Sequence, residues 1–254
     1  MAEMPSVEML TGFARAPNGK KATGYTYQEL LDAMRADPDE AVLRFKALLT
    51  DGRPGVRAWA CIAGAKACGR KFVPTLLKAF SDRSQDVQEM VISGLLEIDP
   101  SGKLLRPLVL QLRQRLLTWE DDGAPRIARL LAILNDTEAA PYMERYLQRL
   151  DLDGADKTRG EVFLLYLTEG VEGVLDRIRN HSDHVRMPFL GRLVFALGTA
   201  DVDPALEQLA ATAPDDRCRF IAQQTLEALK AARAEAPPPY WNRMLSYKDL
   251  PPAK

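Results

Sequence analysis

The residues best suited to metal chemistry lie in one short stretch, His181-Ser182-Asp183-His184, which contains both histidines of the chain. Two imidazoles and a carboxylate are ligand types that bind zinc. The stretch falls in a predicted turn between two helices, however, and no other cysteine or histidine stands at a useful spacing. We therefore expect neither a metal site nor another bound cofactor.

The three cysteines are Cys61, Cys68 and Cys218. Their odd number and irregular spacing fit no disulfide framework, which indicates a reducing compartment. Cys61 and Cys68 are seven residues apart, which places them on the same face of one predicted helix, among alanines and glycines. Because cysteine often packs as a small buried residue, a place in the core is favoured over a redox or ligand role.

The sequence contains no motif of a known catalytic class: no Walker A loop, no Gly-x-Ser-x-Gly, no His-Glu-x-x-His and no Gly-x-Gly-x-x-Gly. Carboxylates are numerous, but they fall on the polar faces of predicted helices, where solvation is their ordinary role. No catalytic residue is predicted, and a binding protein is favoured over an enzyme.

The composition indicates a helical protein that works in the cytoplasm. Hydrophobic residues make up 46% of the 254 residues and aromatic residues only 7%, and Leu and Ala, which lose little rotamer freedom in a helix, dominate the apolar set. The formal net charge is -1, whereas proteins that bind duplex DNA are usually basic, so nucleic acid is not the expected partner. The N-terminus lacks the apolar core of a secretory signal, and no stretch is long enough to predict a membrane span.

Apolar residues with helical spacing alternate with short breaks along most of the chain, and no segment has the period of a strand. Residues 1–25 are predicted to form a flexible arm, residues 26–236 a helical repeat domain and residues 237–254 a tail rich in proline and aromatic residues. The predicted helical segments are 39–50, 54–68, 72–81, 85–98, 103–119, 124–135, 138–150, 158–169, 171–180, 185–198, 203–213 and 216–235.

Two independent patterns indicate that these segments repeat in pairs. Asp51 and Val56 match Asp82 and Val87 at an offset of 31 residues. In addition, prolines stand near the start of the first helix of most pairs, where a missing backbone N–H costs nothing. These prolines are Pro38, Pro74, Pro107, Pro141 and Pro204. Such a period predicts a solenoid, in which each helix pair buries its apolar face on the next pair.

One unit reads Val73-Pro74-x-Leu76-Leu77-x-x-Phe80-x-Asp82-x4-Val87-x-x-x-Val91-x-x-x-Leu95-x-x-Ile98. This pattern resembles the HEAT consensus, particularly the short HEAT-like units of the bilin-lyase type. The resemblance implies an all-α fold, a right-handed α-α superhelix of about six HEAT-like helix pairs, with the second helices on the concave face. It does not imply one function, because this fold serves scaffolds, lyases and glycosylases.

Arginine recurs near the start of the second helices, and glutamine takes its place in one unit. Either each side chain pairs with an aspartate of an inter-helix turn, such as Asp51, Asp122 or Asp183, or the row forms a basic ridge that binds acidic peptides or phosphates. Both interpretations stay open at this point. The residues of the row are Arg57, Gln88, Arg126, Arg159, Arg186 and Arg217.

Trp59, with Arg57 and Asp51, is weakly similar to the set that HEAT-like DNA glycosylases use to hold a damaged nucleotide. A HEAT-like enzyme, either a bilin lyase or a DNA glycosylase, is therefore the alternative function. The other role for Trp59 is packing, or an anchor on a protein-binding groove.

The C-terminal tail keeps Tyr240 and Trp241 close to three further apolar residues, which is unusual for a disordered segment. The tail is predicted either to cap the last repeat or to dock on a partner. Taken together, the sequence predicts an adaptor or scaffold that binds another protein or peptide with acidic groups through its second helices. The predicted binding residues are Arg57, Trp59, Lys66, Gln88, Arg126, Arg129, Arg186, Arg192, Arg219, Tyr240 and Trp241.

Overall fold

The computed structural model describes residues 4–15, 26–119, 123–149, 154–180, 203–214 and 216–235. Within these ranges every regular element is a helix and there is no strand, so the predicted all-α class is confirmed. Contacts divide the chain into two compact units, Met1–Leu108 and Val109–Lys254. The helices are α1 (Val7–Arg15), α2 (Tyr27–Ala36), α3 (Pro38–Leu48), α4 (Pro54–Cys68), α5 (Val73–Ala79), α6 (Gln85–Ile98), α7 (Val109–Thr118), α8 (Gly123–Ile133), α9 (Ala140–Leu147), α10 (Gly154–Asn180), α11 (Asp203–Thr212) and α12 (Asp216–Glu235).

The predicted helical segments coincide with helices α3 to α12 to within a few residues, apart from segment 185–198, which lies outside the described residues. The prolines stand where the repeat predicted them. Pro38, Pro74 and Pro141 occupy the first turns of α3, α5 and α9, and Pro204 is the second residue of α11. Pro107 lies in the 3-10 turn Lys103–Leu108 that leads into α7. A further 3-10 turn precedes α5, at Gly69–Phe72.

In the first unit, α4 packs against α6 through small side chains. A Cβ atom added to Gly94 of α6 would lie 3.1 Å from the carbonyl oxygen of Cys61 and 3.3 Å from the Cβ of Ala65 in α4. Both residues of α4 are buried. The abundance of Ala, Gly and Cys in these two segments therefore has a direct physical use, because it lets the two helix backbones approach closely.

Helix α1 corrects the prediction of a flexible arm for residues 7–15, whereas residues 1–3 and 16–25 of the predicted arm lie outside the described residues. Ser6 caps this helix, since its Oγ accepts from the backbone N–H of Met9 at 3.3 Å. Leu10 is fully buried and Phe13 is buried beside it. Helix α1 contacts α3 and α4, and Nη1 of Arg44 in α3 donates to the Met4 carbonyl oxygen at 2.8 Å and to the next carbonyl, that of Pro5.

In the second unit, α7 packs on α8 and α9, and α10 packs on α8 and α9. Gly160 of α10 lies so close to α9 that an added Cβ would be 3.0 Å from Cε1 of Tyr146. Helix α10 is broken at Gly170, whose φ of 71° and ψ of -166° are not helical. Glycine suits this conformation because it has no Cβ, and the break agrees with the separate segments predicted for 158–169 and 171–180. Farther along the chain, α11 pairs with α12.

No helix among the described residues is both long and apolar enough to cross a membrane.

Candidate functional site

The arginine row predicted from the sequence begins at Arg57, the fourth residue of α4. Its guanidinium donates from Nε to Oδ2 of Asp82 at 2.7 Å and from Nη2 to Oδ1 of Asp82 at 2.8 Å. Its Nη1 donates to the Asp51 carbonyl oxygen at 2.8 Å. Arg57 therefore joins the turn before its own helix to the turn before α6, which belongs to the next helix pair.

The same contact recurs at the fourth residue of two other second helices. Nε2 of Gln88 in α6 donates to the Asp82 carbonyl oxygen, and Nη1 of Arg219 in α12 donates to the Ala213 carbonyl oxygen at 2.8 Å. Each donor lies six residues after the carbonyl it binds, as Arg57 does. We call this recurring contact the turn anchor, and its donors are Arg57, Gln88 and Arg219.

The turns themselves repeat as well. Oδ1 of Asp51 accepts from the backbone N–H of Arg53 at 2.9 Å, and Oδ1 of Asp82 accepts from the backbone N–H of Ser84 at 2.8 Å. Each aspartate thus closes a short turn two residues ahead of it, a common use of this side chain. The two turns are 31 residues apart, so the offset found in the sequence corresponds to a repeated local structure.

Ion pairing sets the protonation of these groups. Hydrogen bonds from Arg57 lower the pKa of the Asp82 carboxyl below its ordinary value, against the opposite effect of burial, and the Ser84 N–H lowers it further. The same pairing raises the pKa of Arg57. The pKa of Asp51 is held well below its usual range, first by hydrogen bonds from Arg53. Asp82, Arg57 and Asp51 are therefore charged at neutral pH, so the ion pairs Arg57–Asp82 and Arg53–Asp51 are present there.

Arg57 and Gln88 have structural roles, because their side chains bind groups inside the protein. The prediction of a binding ridge is therefore wrong for these two residues of the row. Arg57 is only 6% exposed and Gln88 only 3%, so neither side chain presents a surface to a partner. The physical reason is that the first turn of a second helix leaves a carbonyl of the preceding turn in need of a donor. Arg57 also pairs with the aspartate of the next turn, Asp82, where the sequence suggested Asp51 of its own turn.

Trp59 belongs to a row of aromatic rings. Its ring centroid lies 6.0 Å from that of Phe13 in α1 and 6.0 Å from that of Phe45 in α3. Phe45 also meets Phe72 edge-on at 6.0 Å, and Phe13 stacks on Tyr27 at 5.9 Å. Such centroid distances are those of favourable aromatic pairs. Trp59 therefore packs within the first unit, and its neighbour Arg57 is paired with Asp82, so these two members of the glycosylase-like set are engaged in internal contacts.

The other predicted binding residues differ in exposure. Arg126 is exposed, whereas Lys66, Arg129 and Arg219 are half-buried. In addition to its turn anchor, Arg219 pairs with Asp216 one helical turn earlier. The remaining predicted residues lie outside the described part of the chain, as does the whole of the stretch from His181 to His184; they are Arg186, Arg192, Tyr240 and Trp241.

Sequence reasoning missed a second buried ion pair, at Arg113 of α7. Its Nε donates to Oδ2 of Asp136 at 2.7 Å, and its Nη1 donates to Oε2 of Glu138 at 2.7 Å. Pairing with Asp136 raises the pKa of Arg113. The available signal was an arginine between Leu112 and Leu116, on the buried side of the helix, which requires a partner for its charge.

The cysteines of α4 are buried, which confirms their predicted place in the core. Burial raises the pKa of the Cys61 thiol to about 12 and that of the Cys68 thiol to about 12. Both thiols are therefore protonated at neutral pH. Within the described part of the chain, no group of three or more His, Cys, Asp and Glu residues is arranged to hold a metal ion.

No protein-family model matches this chain, and no curated protein matches it either.

Proposed function

We propose that this chain is an adaptor or scaffold, built from HEAT-like helix pairs of one right-handed α-α superhelix, that binds another protein through its second helices. The observation that supports this most is the turn anchor, which recurs at the fourth residue of α4, α6 and α12. Tandem helix pairs that share such contacts present equivalent side chains along a continuous surface, which suits the binding of extended or helical partners.

The partner carries acidic groups. Once the buried Arg57 and Gln88 are removed from the predicted surface, the basic residues left on the described second helices of the first three pairs are Lys66 on α4 and Arg126 and Arg129 on α8. A basic side chain on the rim of an interface acts mainly on the association rate and on the choice of partner. We expect a partner whose binding weakens as salt is added.

The test is affinity purification from the native host, with charge reversal as the probe. The bait is the full chain, alone or with the pair Lys66→Glu and Arg126→Glu. The matched control is the pair Lys46→Glu and Lys78→Glu, which reverses two exposed lysines of the first helices α3 and α5. Because both double variants change the net charge equally, a difference between them reports position and not overall charge.

We expect a protein in stoichiometric amount that elutes with salt, is lost from the second-helix variant and is kept by the first-helix variant. Equal recovery with both variants would contradict the assignment of the surface. If the chain instead retains a chromophore or turns over alkylated DNA, the HEAT-like enzyme replaces this proposal.

A further inference from the structure

Helix α1 contacts the first helix α3 and the second helix α4. On α4 the ring of Phe13 lies 6.0 Å from that of Trp59, a residue of the surface that the proposed function assigns to binding. We call the surface beneath it the α1 seat, formed by Phe45 and Trp59, with Arg44 at the end where α1 begins. In the first helix pair a partner can reach this part of the surface only when α1 is displaced.

The seat is held together by contacts that do not involve α1. The ring of Phe72 lies so close to Gly64 of α4 that an added Cβ would overlap its Cε1 atom. Phe72 in turn meets Phe45 edge-on, and Phe45 tilts against Trp59. The seat is therefore organised by the core of the first unit, and a helix that binds there finds its apolar surface already formed.

Helix α1, in contrast, depends on the seat. It has nine residues, fewer than an isolated helix needs to be stable in water, and Gly12 lies in its interior. Only Leu10 and Phe13, three residues apart, are buried, and Glu8 and Arg15 are exposed. A short helix with two buried anchors belongs to the part of a protein that opens most readily.

A polar contact at the N-terminal end adds to the apolar contacts of the seat. At the N-terminal end, Arg44 donates to the carbonyl oxygens of Met4 and Pro5, which any peptide backbone can supply. The seat therefore favours an amphipathic helix with large apolar side chains three residues apart, like Leu10 and Phe13 of α1.

We propose that the α1 seat is a recognition site for an amphipathic helix of a partner protein, and that α1 occupies it as an intramolecular competitor. This inference rests on the proposed function and deepens it, because it names one contact and its regulation. In the free protein the site is closed by Phe13 and Leu10. A partner helix binds by taking the place of these two side chains.

The experiment uses a fluorescent peptide with the sequence of residues 4–15 and measures its binding by anisotropy. The proteins are the full wild-type chain and the full chain with Leu10→Ala and Phe13→Ala, which removes the two anchors of the competitor. A second variant, Gly12→Pro, breaks the helix while keeping both anchors, and it replaces the first variant if that one does not fold. Glu8→Gln, on the exposed side of α1, is the matched control.

We expect the peptide to bind the variants with a weakened α1 at least about tenfold more tightly than the wild type or the control. The reason is that α1 then occupies the α1 seat in a smaller fraction of the molecules. A peptide with Leu10→Ala and Phe13→Ala should lose this binding. Equal affinity for all the chains, or equal affinity of the two peptides, would overturn the inference. A salt-sensitive partner captured by the wild type, without any such peptide binding, would leave the proposed function standing and reject only the competitor role of α1.

Discussion

The ion pair between Arg57 and Asp82 offers the sharpest test of the repeat contacts. In the variant Arg57→Met, the Asp82 carboxylate loses two charge-assisted hydrogen bonds and keeps the one from the Ser84 N–H. The carbonyl of Asp51 loses its donor as well. Removing one partner of a buried pair costs about 3–5 kcal/mol, because the other charge stays buried without compensation. We expect a loss of this size in the free energy of unfolding.

A matched control exists in the same unit. Lys71 binds Asp39 at 2.9 Å and also joins two helix pairs, but the two side chains are 53% and 81% exposed. Exposed ion pairs contribute about 0–1 kcal/mol, so Lys71→Met should change the free energy of unfolding by no more than that. Urea unfolding followed by circular dichroism gives the two losses, and hydrogen exchange shows whether the loss is confined to α4 and α6.

The double variant Arg57→Met and Asp82→Leu separates pairing from burial. Since it leaves no charge behind, it should be less destabilised than the sum of its two single variants. A loss for Arg57→Met below about 1 kcal/mol, or equal effects of Arg57→Met and Lys71→Met, would refute the role given to the buried pair.

The pH dependence follows from the same pair. The pKa of Asp82 is lowered in the folded protein, so the pair contributes its stability above the unfolded value of about 3.9 and loses it as the pH falls through the lowered pKa. The difference in stability between the wild type and Asp82→Asn should therefore be constant near neutral pH and shrink below about pH 4. A difference that grows as the pH is lowered would contradict the direction of the shift.

Three further predictions concern other parts of the two units. Arg113→Met should cost about 3–5 kcal/mol in urea unfolding, whereas Glu138→Gln, at a carboxylate that is 78% exposed, should cost less than about 1 kcal/mol. Gly94→Ala should destabilise the first unit by about 1–3 kcal/mol, because the new methyl group meets the backbone of α4; Gly55→Ala, where a Cβ meets nothing within 4 Å, should be neutral or stabilising by up to about 1 kcal/mol. The Cys61 thiol should resist a thiol reagent at pH 8 until urea unfolds the chain, and rapid labelling in the folded protein would contradict its raised pKa.

The helices of the repeats could be predicted because their signals are local. Pro54 marks the first residue of α4, and the apolar spacing continues to Cys68, where the helix ends. Gly170 lies between two predicted segments, and the helix is broken there by a positive φ. Proline, glycine and helical periodicity act within a few residues, so the sequence displays them directly.

Helix α1 could not be predicted in this way, because what stabilises it is distant in the chain. Arg44 on α3 lies 40 residues from Met4, whose carbonyl it binds just before α1, and Trp59 on α4 lies 46 residues from Phe13. The sequence of α1 itself contains Gly12. The partner of Arg57 was missed for a related reason. Only the stacking of one pair on the next brings Asp82 within reach, whereas spacing along the sequence pointed to Asp51.

A two-residue error in register shows why candidate site residues are harder to predict than helices. The sequence predicts Arg217 as the member of the arginine row in this helix, whereas the turn anchor of α12 is made by Arg219, its fourth residue. A helix is still predicted correctly if its start is misjudged by two residues. The residue that makes a given contact is not, because positions two residues apart on a helix differ in direction by about 200°.

The residues that recur in a repeat protein are those that hold its units together, and recognition must come from positions where the units differ. Arg57 and Gln88 are equivalent, and both are buried donors to the turn before them. At other positions of the same helices the equivalence ends: Trp59 on α4 corresponds to Met90 on α6, and Lys66 on α4 corresponds to Glu97 on α6, each 31 residues later. All four of these side chains are partly or fully exposed. Because one repeat position carries opposite charges on α4 and α6, neither charge can be a requirement of the fold. Under the proposed binding function, we therefore expect Trp59, Lys66 and their equivalents to contribute to the choice of partner.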